Sequence, residues 1–435
     1  MVPGLSAPIM REPSALVDQG MPAGRTHLCR DRDLDSEGRR LAGALDGYRV
    51  LDLSRILSGP YCTMALADFG AEVIKVERPG SGDDTRAWGP PFVGGQSAYY
   101  LSINRSKRSI TVDLGQEQGR EIIYALARVC DVAIENFRPG TADRIGVGYE
   151  RLRQENSQLI YCSISGFGQD GPYRDRPGYD ALAQAMSGMM YITGEPDGPP
   201  TKHGMSIADI GAGMWAALAI VSALLARERT GEGQYIDISL LDAQISWLTY
   251  TAGSYFATGR NPERYGSAHP SIVPYQPFAT ADGYLMLAVG NDRLWQRFCE
   301  VVNRPELGTR SGFATSAERV VNRGAVIDVV AEIMRQRSTA EWMSMLEEAG
   351  IPAGPINTVA QALNDPHVLA REMVVTLDHP TAGEISVTGN PAKFSATSGE
   401  TPSAPPLLGE HTDEILRSLG YTESRIAELR AQAIV

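Results

Sequence analysis

Short apolar runs that end at a polar or glycine-rich turn alternate with stretches of helical spacing through the first half of the chain. "YRVLDL" (48–53) leads through "SRILSGP" into "YCTMALADFG", and "AEVIKVERPG" (71–80) follows directly. "SITVDL" (109–114), helical "GREIIYALARVC" (119–130), "DVAIENF" (131–137) and "LIYCSISGFG" (159–168) continue the series. Runs that are apolar throughout fit strands buried on both faces, and strands separated by helices pair in parallel. The expected class is therefore α/β, an open and mostly parallel Rossmann-like sheet domain with a smaller α+β domain. Ligands of such sheets bind outside the carboxyl ends of the strands, which draws attention to Arg55, Arg78, Asn136 and Ser165.

The pattern changes near residue 246. "WLTYTAGSYFATGRNPERYGSAHPSIVPYQ" is rich in Tyr, Gly and Pro and reads as a linker. "PFATADGYLMLAVGN" gives two strands around an Asp-Gly turn, helices follow to about residue 350, and "TLDHPTAGEISVTGNPAKFS" returns to strand text. The expected organisation is an extension over 1–44, a large Rossmann-like ligand-binding domain over 45–240, a linker over 241–270 and a small α+β domain over 271–355. Residues 356–435 return to complete the large domain. The extension is rich in Pro, Gly and charge and lacks the apolar segment of a secretory leader, so it reads as disordered or as preceding the true start.

A formal net charge of −12 over 435 residues argues against general binding to nucleic acid or to an anionic membrane surface. It leaves room for an anionic ligand on a local basic cluster. No run of about 18 uncharged apolar residues occurs, so no membrane span is expected. Five scattered Cys (29, 62, 130, 162, 299) without paired spacing point to a reducing, cytoplasmic setting, and the six dispersed His form no metal motif.

Three motifs and two acidic residues invite chemistry. "GAGMWA" (211–216) matches G-x-G-x-x-A, but the text before it is polar and broken by Gly rather than a buried strand, so close packing of a helix is the better reading of Gly211 and Gly213. "ERPGSGDDTR" (77–86) is a Gly-rich loop flanked by Arg78 and Arg86 that can cradle phosphate, or simply turn in solvent. "NRSKRS" (104–109) is a basic cluster with the same two readings. Asp209, in "GMSIADIGAG", fits the N-cap of a long helix, where the dipole would keep it ionised and aimed outward as a nucleophile. Asp180, in "RPGYDALAQ", also stands at a helix start.

Taken in order, "LDLSRILSGPYCTMALADFGAEVIKVERPGSGDDTR", "NRSKRSITVDL", "ENFRPG", "GYD", "GMSIAD", "TGEGQYIDISLLD" and "APPLLGEHTDEIL" resemble the class III CoA-transferases, the CaiB/BaiF family. The resemblance runs from about residue 46 to the end. "WGPPFVGGQSAYYLSINRSKRSI" and "AHPSIVPYQPFATADGY" are most similar to its succinate–hydroxymethylglutarate (glutarate) branch.

The resemblance implies that Asp209 is the acyl-accepting nucleophile and that Asp180, beside Tyr179, assists it. It implies CoA contacts at Arg78, Asn136, Phe137 and Arg144, and support of the acyl intermediates by the loop at Ile56, Leu57 and Ser58. Leu57 stands where formyl-CoA transferases carry Gln, which argues against formate or oxalate as acceptor. Tyr179 stands where the related α-methylacyl-CoA racemases carry His, and Tyr is a poor second acid/base at neutral pH. The racemase, and a CoA-binding module without catalysis, are the alternatives. The implied reaction moves CoA from an acyl-CoA such as succinyl-CoA to a dicarboxylate such as glutarate, through an aspartyl anhydride and an aspartyl-CoA thioester, with no permanently bound cofactor. Oxyanion donors are expected from the backbone of 56–58 and from the helix start at Asp209. Arg86, Arg105 and Lys107 are further phosphate candidates, and His269 or Lys202 is an open choice for the distal carboxylate. The family implies an interlocked homodimer.

Overall fold

The computed structural model describes residues 43–397, 399 and 401–435. The extension expected over 1–44, and Cys29 within it, lies outside the described residues except for its last two positions. Six strands, β1 (Arg49–Asp52), β2 (Glu72–Glu77), β3 (Lys107–Thr111), β4 (Val132–Glu135), β5 (Ile160–Ser165) and β6 (Tyr235–Ser239), form one sheet in the order β3-β2-β1-β4-β5-β6. Every pair in it is parallel. This order reverses direction between β1 and β4, so the loops leaving those two strands diverge and open a crevice between them.

The strands alternate their side chains between two cores. Val50, Val73, Val132 and Ile134 face one, with α1 (Ser58–Asp68) and the long helix that carries Ala208, Ala212, Ala216 and Ile220. Leu51, Ile74 and Ala133 face the other, with α2 (Glu117–Val129) and the C-terminal residues Ile415, Leu416, Ile426 and Leu429. The two-residue period of a strand thus makes a three-layer α/β arrangement out of runs that read as uniformly apolar.

Next in chain order come α3 (Asp180–Met186), α4 (Ile207–Thr230), α5 (Leu240–Ser246) and α6 (Thr249–Thr258). "GAGMWA" lies inside α4 and not at a strand–helix turn, which removes the dinucleotide reading. A Cβ on Gly213 would stand 2.6 Å from the carbonyl oxygen of Ser58, and one on Gly211 would stand 2.7 Å from the ring of Trp247. Both glycines therefore serve close packing of α4, and Gly213 brings α4 against the start of α1. By length and composition α4 would also pass as a membrane span, since residues 210–226 are uncharged; half of its apolar window is buried inside the fold, as in a core helix.

The text read as a linker from 246 opens instead with α6. Its "TYTAGSYFAT" mixes β-branched, aromatic and Gly residues of modest helix propensity, which hid it. Beyond it, β7 (Tyr275–Ala279) and β8 (Tyr284–Ala288) pair antiparallel as the Asp-Gly turn predicted, and β9 (Ala353–Pro355) joins the other edge of β8. A separate core of Val273, Phe278, Trp295, Phe298, Val330 and Trp342 fills this part. Finally β10 (Val374–His379) and β11 (Gly383–Thr388) form an antiparallel pair that packs on Leu101.

Candidate active site

The crevice at the reversal point holds a cleft of about 300 Å³, at the low end of the range for ligand sites. Its lining includes Arg55 from the loop after β1, Arg78 after β2, and Phe137 and Thr141 after β4. Arg78 is exposed, and among the described residues no acidic partner is recorded for it. The loop after β1 is bonded residue by residue. Lys75 Nζ donates to the Ser54 carbonyl at 3.0 Å. The Asn136 side-chain amide accepts from Arg55 N at 2.9 Å and donates to Arg55 O at 2.7 Å and to Ser58 Oγ at 3.2 Å. The backbone N–H of Ile56 donates to Asp83. Asn136 and Ser58, expected at the site, are thus joined to each other. Among the described residues no side chain caps α1 at Leu57; Pro60 carries no N–H and Tyr61 N donates to Leu57 O, so the first-turn donors left for a ligand are the N–H groups of Ser58 and Gly59.

On the other side of Ser58 lies the start of α4. Asp209 is in the first turn, not at the cap; Ser206 holds the N-cap position and its side chain makes no capping bond. Asp180, at the start of α3, does the capping across 28 residues of sequence. Its Oδ1 accepts from Ala208 N at 2.8 Å and Asp209 N at 3.4 Å, and its Oδ2 accepts from Gln184 Nε2 at 2.8 Å. A carboxylate in this role stabilises a helix by about 1 kcal/mol. The two acids are brought together as expected, but the N–H groups at the α4 start are engaged: Ile210 N donates to Ser206 O. The N–H groups of Ala208, Asp209 and Ile210 are thus taken, which favours the start of α1 as the oxyanion donor.

Burial first, and then the charge of Asp180, push the Asp209 carboxyl up to about 7. This corrects the expectation that the helix dipole keeps it readily ionised: desolvation exceeds the dipole, whose effect is about 1 kcal/mol or less. Tyr99 stands in the same small apolar cluster as Ile56, Leu57 and Ile210. Its hydroxyl is pushed up to about 12 by burial and by the negative charges of Asp209, Asp180 and Asp83.

The remaining residues divide. Arg144 is exposed, bonds only its neighbour Thr141, and does not line the cleft. Tyr179 is 69% exposed. Arg86 is clamped on Glu77 by two bonds of 2.7 Å, donates to Tyr100 Oη at 2.6 Å, and lies against Gly82 inside the Gly-rich loop. Arg105 forms a buried pair with Asp68, and Lys107 is buried against Asp52, Pro60 O and Asn104. These three cations are neutralised inside the fold and are not phosphate ligands. Removing one partner from such a pair costs on the order of 3–5 kcal/mol, so they cannot readily be released to a ligand. His269 stacks between Tyr250 and Tyr275. Lys202 Nζ donates to His203 O and Met205 O, and Met205 O also accepts from the Gln184 that holds Asp180.

Sequence reasoning passed over Asp83, Lys75, Gln184 and Tyr99. One signal was present: Lys75 sits in "EVIKVE", and a lysine inside a strand covered on both faces must find a buried counter-charge.

Titration of Asp209, followed by carboxylate infrared or carbon NMR, should centre near pH 7. In Asp180→Asn the centre should move clearly downward, because a negative neighbour is removed while an acceptor for Ala208 N is kept. An unchanged midpoint would show that Asp180 does not act on Asp209.

The model of CoA-transferase family III matches residues 45–412. Succinyl-CoA:glutarate CoA-transferase of Homo sapiens is 44% identical over 392 residues, covering 90% of this chain and 90% of that protein. Acetyl-CoA:oxalate CoA-transferase of Acetobacter aceti is 42% identical over 368 residues, covering 84% of this chain and 93% of that protein. The crystal structure of a CaiB/BaiF family protein from Brucella suis superposes with a TM-score of 0.78 at 44% identity, over 87% of this chain and 100% of that one. With a family model over residues 45–412 and relatives of this extent, the chain belongs to CoA-transferase family III, the CaiB/BaiF family, and is a CoA-transferase.

Proposed function

We propose that this enzyme transfers CoA from succinyl-CoA to glutarate, with Asp209 as the acyl-accepting nucleophile. The observation that carries the reading is a half-buried, desolvated carboxylate in the first turn of a helix that packs on the loop leaving β1, the loop whose Arg55 lines the cleft. The similarity to a succinyl-CoA:glutarate CoA-transferase over 90% of both chains supports the choice of acids. The oxalate enzyme at 42% identity makes oxalate the acceptor to test against it.

Asp209 attacks the thioester carbonyl and expels CoA thiolate, leaving a mixed anhydride with succinate. The thiolate attacks the aspartyl carbonyl, succinate leaves as the carboxylate, and an aspartyl-CoA thioester remains. Glutarate attacks that thioester and frees the thiolate again. The thiolate then takes the glutaryl group and returns Asp209 as a carboxylate. Donor, acceptor and nucleophile are all carboxylates, so the steps are nearly isoenergetic and need no external energy source. Burial of Asp209 limits hydrolysis of the anhydride and the thioester. The free N–H groups at the start of α1 are suited to hold each oxyanion.

Arg78, Arg55 and Phe137 are assigned to the nucleotide end of CoA, where guanidinium groups meet phosphate and an aromatic ring meets a base. Asn136 acts in this reading through the loop it bonds, and Arg144 contributes at most from the rim. Lys202 is preferred to His269 for the distal carboxylate, because it shares Met205 O with the residue that holds Asp180. The separate cores support a division into a sheet domain and a small domain near residues 271–355.

A homodimer is part of this proposal. Met214, Trp215, Leu218 and Leu225 make an exposed apolar stripe on α4, and α6 buries no residue while exposing Tyr250, Tyr255 and Phe256. Such surface marks an interface. Sedimentation equilibrium should give twice the chain mass, and a monomer at micromolar concentration would remove this part.

With succinyl-CoA and glutarate, glutaryl-CoA and succinate should form at equal rates, and Asp209→Ala should lower the rate by at least about a thousandfold. Faster transfer to oxalate would replace the acceptor but keep the mechanism. An Asp209→Ala enzyme that stays active would overturn it.

A further inference from the structure

Ile56 has a φ of +70°, in the left-handed region that a β-branched side chain rarely enters. It is held there by contacts outside its own loop. Its N–H donates to both carboxylate oxygens of Asp83, at 3.3 and 3.2 Å. Asp83 is 4% exposed and is fixed by Lys75 Nζ at 2.8 Å and by the N–H and hydroxyl of Thr85 at 2.9 and 2.7 Å. Lys75 is fully buried, and its second contact is the carbonyl of Ser54, two residues before Ile56. One buried ion pair therefore grips the loop at two points, with Asn136 gripping Arg55 between them.

What the loop does next explains why this grip matters. Directly after Ile56 the chain enters α1, whose first-turn N–H groups have no side-chain cap. The Ile56 side chain packs in one cluster with Leu57, Tyr99 and Ile210, the residue after Asp209. A turn of α1 aimed by a strained residue is the arrangement that places donors without further reorganisation.

We infer that Asp83, anchored by Lys75, is a positioning residue for acyl transfer: it holds Ile56 in its left-handed conformation and so aims the free N–H groups of α1 at the acyl group on Asp209. The inference rests on the proposed role of Asp209. Asp83 touches no reacting atom; it acts through the backbone of Ile56.

A purely structural role and a positioning role separate in the double variant Lys75→Met/Asp83→Leu. Replacing both members of a buried pair by apolar residues of similar volume commonly keeps or restores stability. It does not restore the acceptor for Ile56. The readouts are thermal unfolding, hydrogen exchange of the Ile56 amide, and the single-turnover rate of Asp209 acylation at saturating succinyl-CoA, with the adduct trapped by hydroxylamine. The double variant should keep a cooperative unfolding transition at a lowered temperature, exchange the Ile56 amide faster and acylate about a hundredfold more slowly. A folded double variant that acylates within about threefold of wild type overturns the positioning role while leaving Asp209 in place. Absence of any adduct on the wild-type enzyme overturns the role of Asp209 and this inference with it. If the double variant does not fold, Asp83→Glu decides. It keeps the charge opposite Lys75 but shifts the acceptor, so slow acylation supports the inference and wild-type acylation overturns it.

Discussion

The side-chain amide of Asn136 bonds both backbone groups of Arg55, and with that contact the two loops that diverge from the centre of the sheet become one surface. Everything that matters for ligand binding is arranged around this join. On one side is the cleft lined by Arg55, Arg78 and Phe137. On the other, Ser58 meets α4 at Gly213, one turn along from Asp209. The parallel sheet with its order reversal supplies a crevice in any such fold. In this chain, the loop that crosses the crevice is bonded at successive residues, so nucleotide cleft and nucleophile keep a fixed relation.

Electrostatics explain why an acidic protein can hold an anionic substrate without surplus cations. The basic residues nearest the sheet, Lys75, Arg86, Arg105 and Lys107, are each paired with an acid inside the fold. What remains outward at the strand ends is Arg78 and Arg55, the latter in a solvent-exposed pair with Asp84 at 3.1 Å that costs little to exchange for a ligand. Two negative groups, Asp180 and Asp209, then sit together at one helix start. The first is held by N–H donors from α4 and by Gln184. Among the described residues no donor is recorded for the side chain of the second, and desolvation raises its pKa. A carboxylate that is costly to ionise is a reactive nucleophile once charged, and the same desolvation protects an acyl intermediate from water.

The sheet was legible because its strands are short Val/Ile runs ended by polar or Gly residues, and the β7–β8 hairpin because Asp-Gly sits between two apolar stretches. The pairing of Asp180 with the α4 start was not, since each acid taken alone reads as an ordinary helix-start residue. "NRSKRS" reads as a solvated basic face, yet Arg105 and Lys107 turn inward, because nothing local marks Asp68 and Asp52 as their partners. Gly211 and Gly213 read from sequence as packing glycines, but which surfaces they pack on, Trp247 and Ser58, was not legible because both lie far away along the chain. Helix α6 escaped because its residues favour strands or turns, and its form is decided by context rather than propensity.

The account turns on Asp209 carrying the acyl group, and oxygen labelling tests that most directly. When glutarate attacks the aspartyl thioester, its oxygen becomes the bridge of the anhydride, and thiolate attack on the glutaryl carbonyl leaves that oxygen on Asp209. Enzyme taken through many turnovers with succinyl-CoA and glutarate labelled with heavy oxygen in both carboxylates, then digested, should yield an Asp209 peptide heavier by one or two labelled oxygens, with label also in the released succinate. Active enzyme whose Asp209 peptide stays unlabelled would contradict the account, because the acyl group would then pass without ever resting on this side chain.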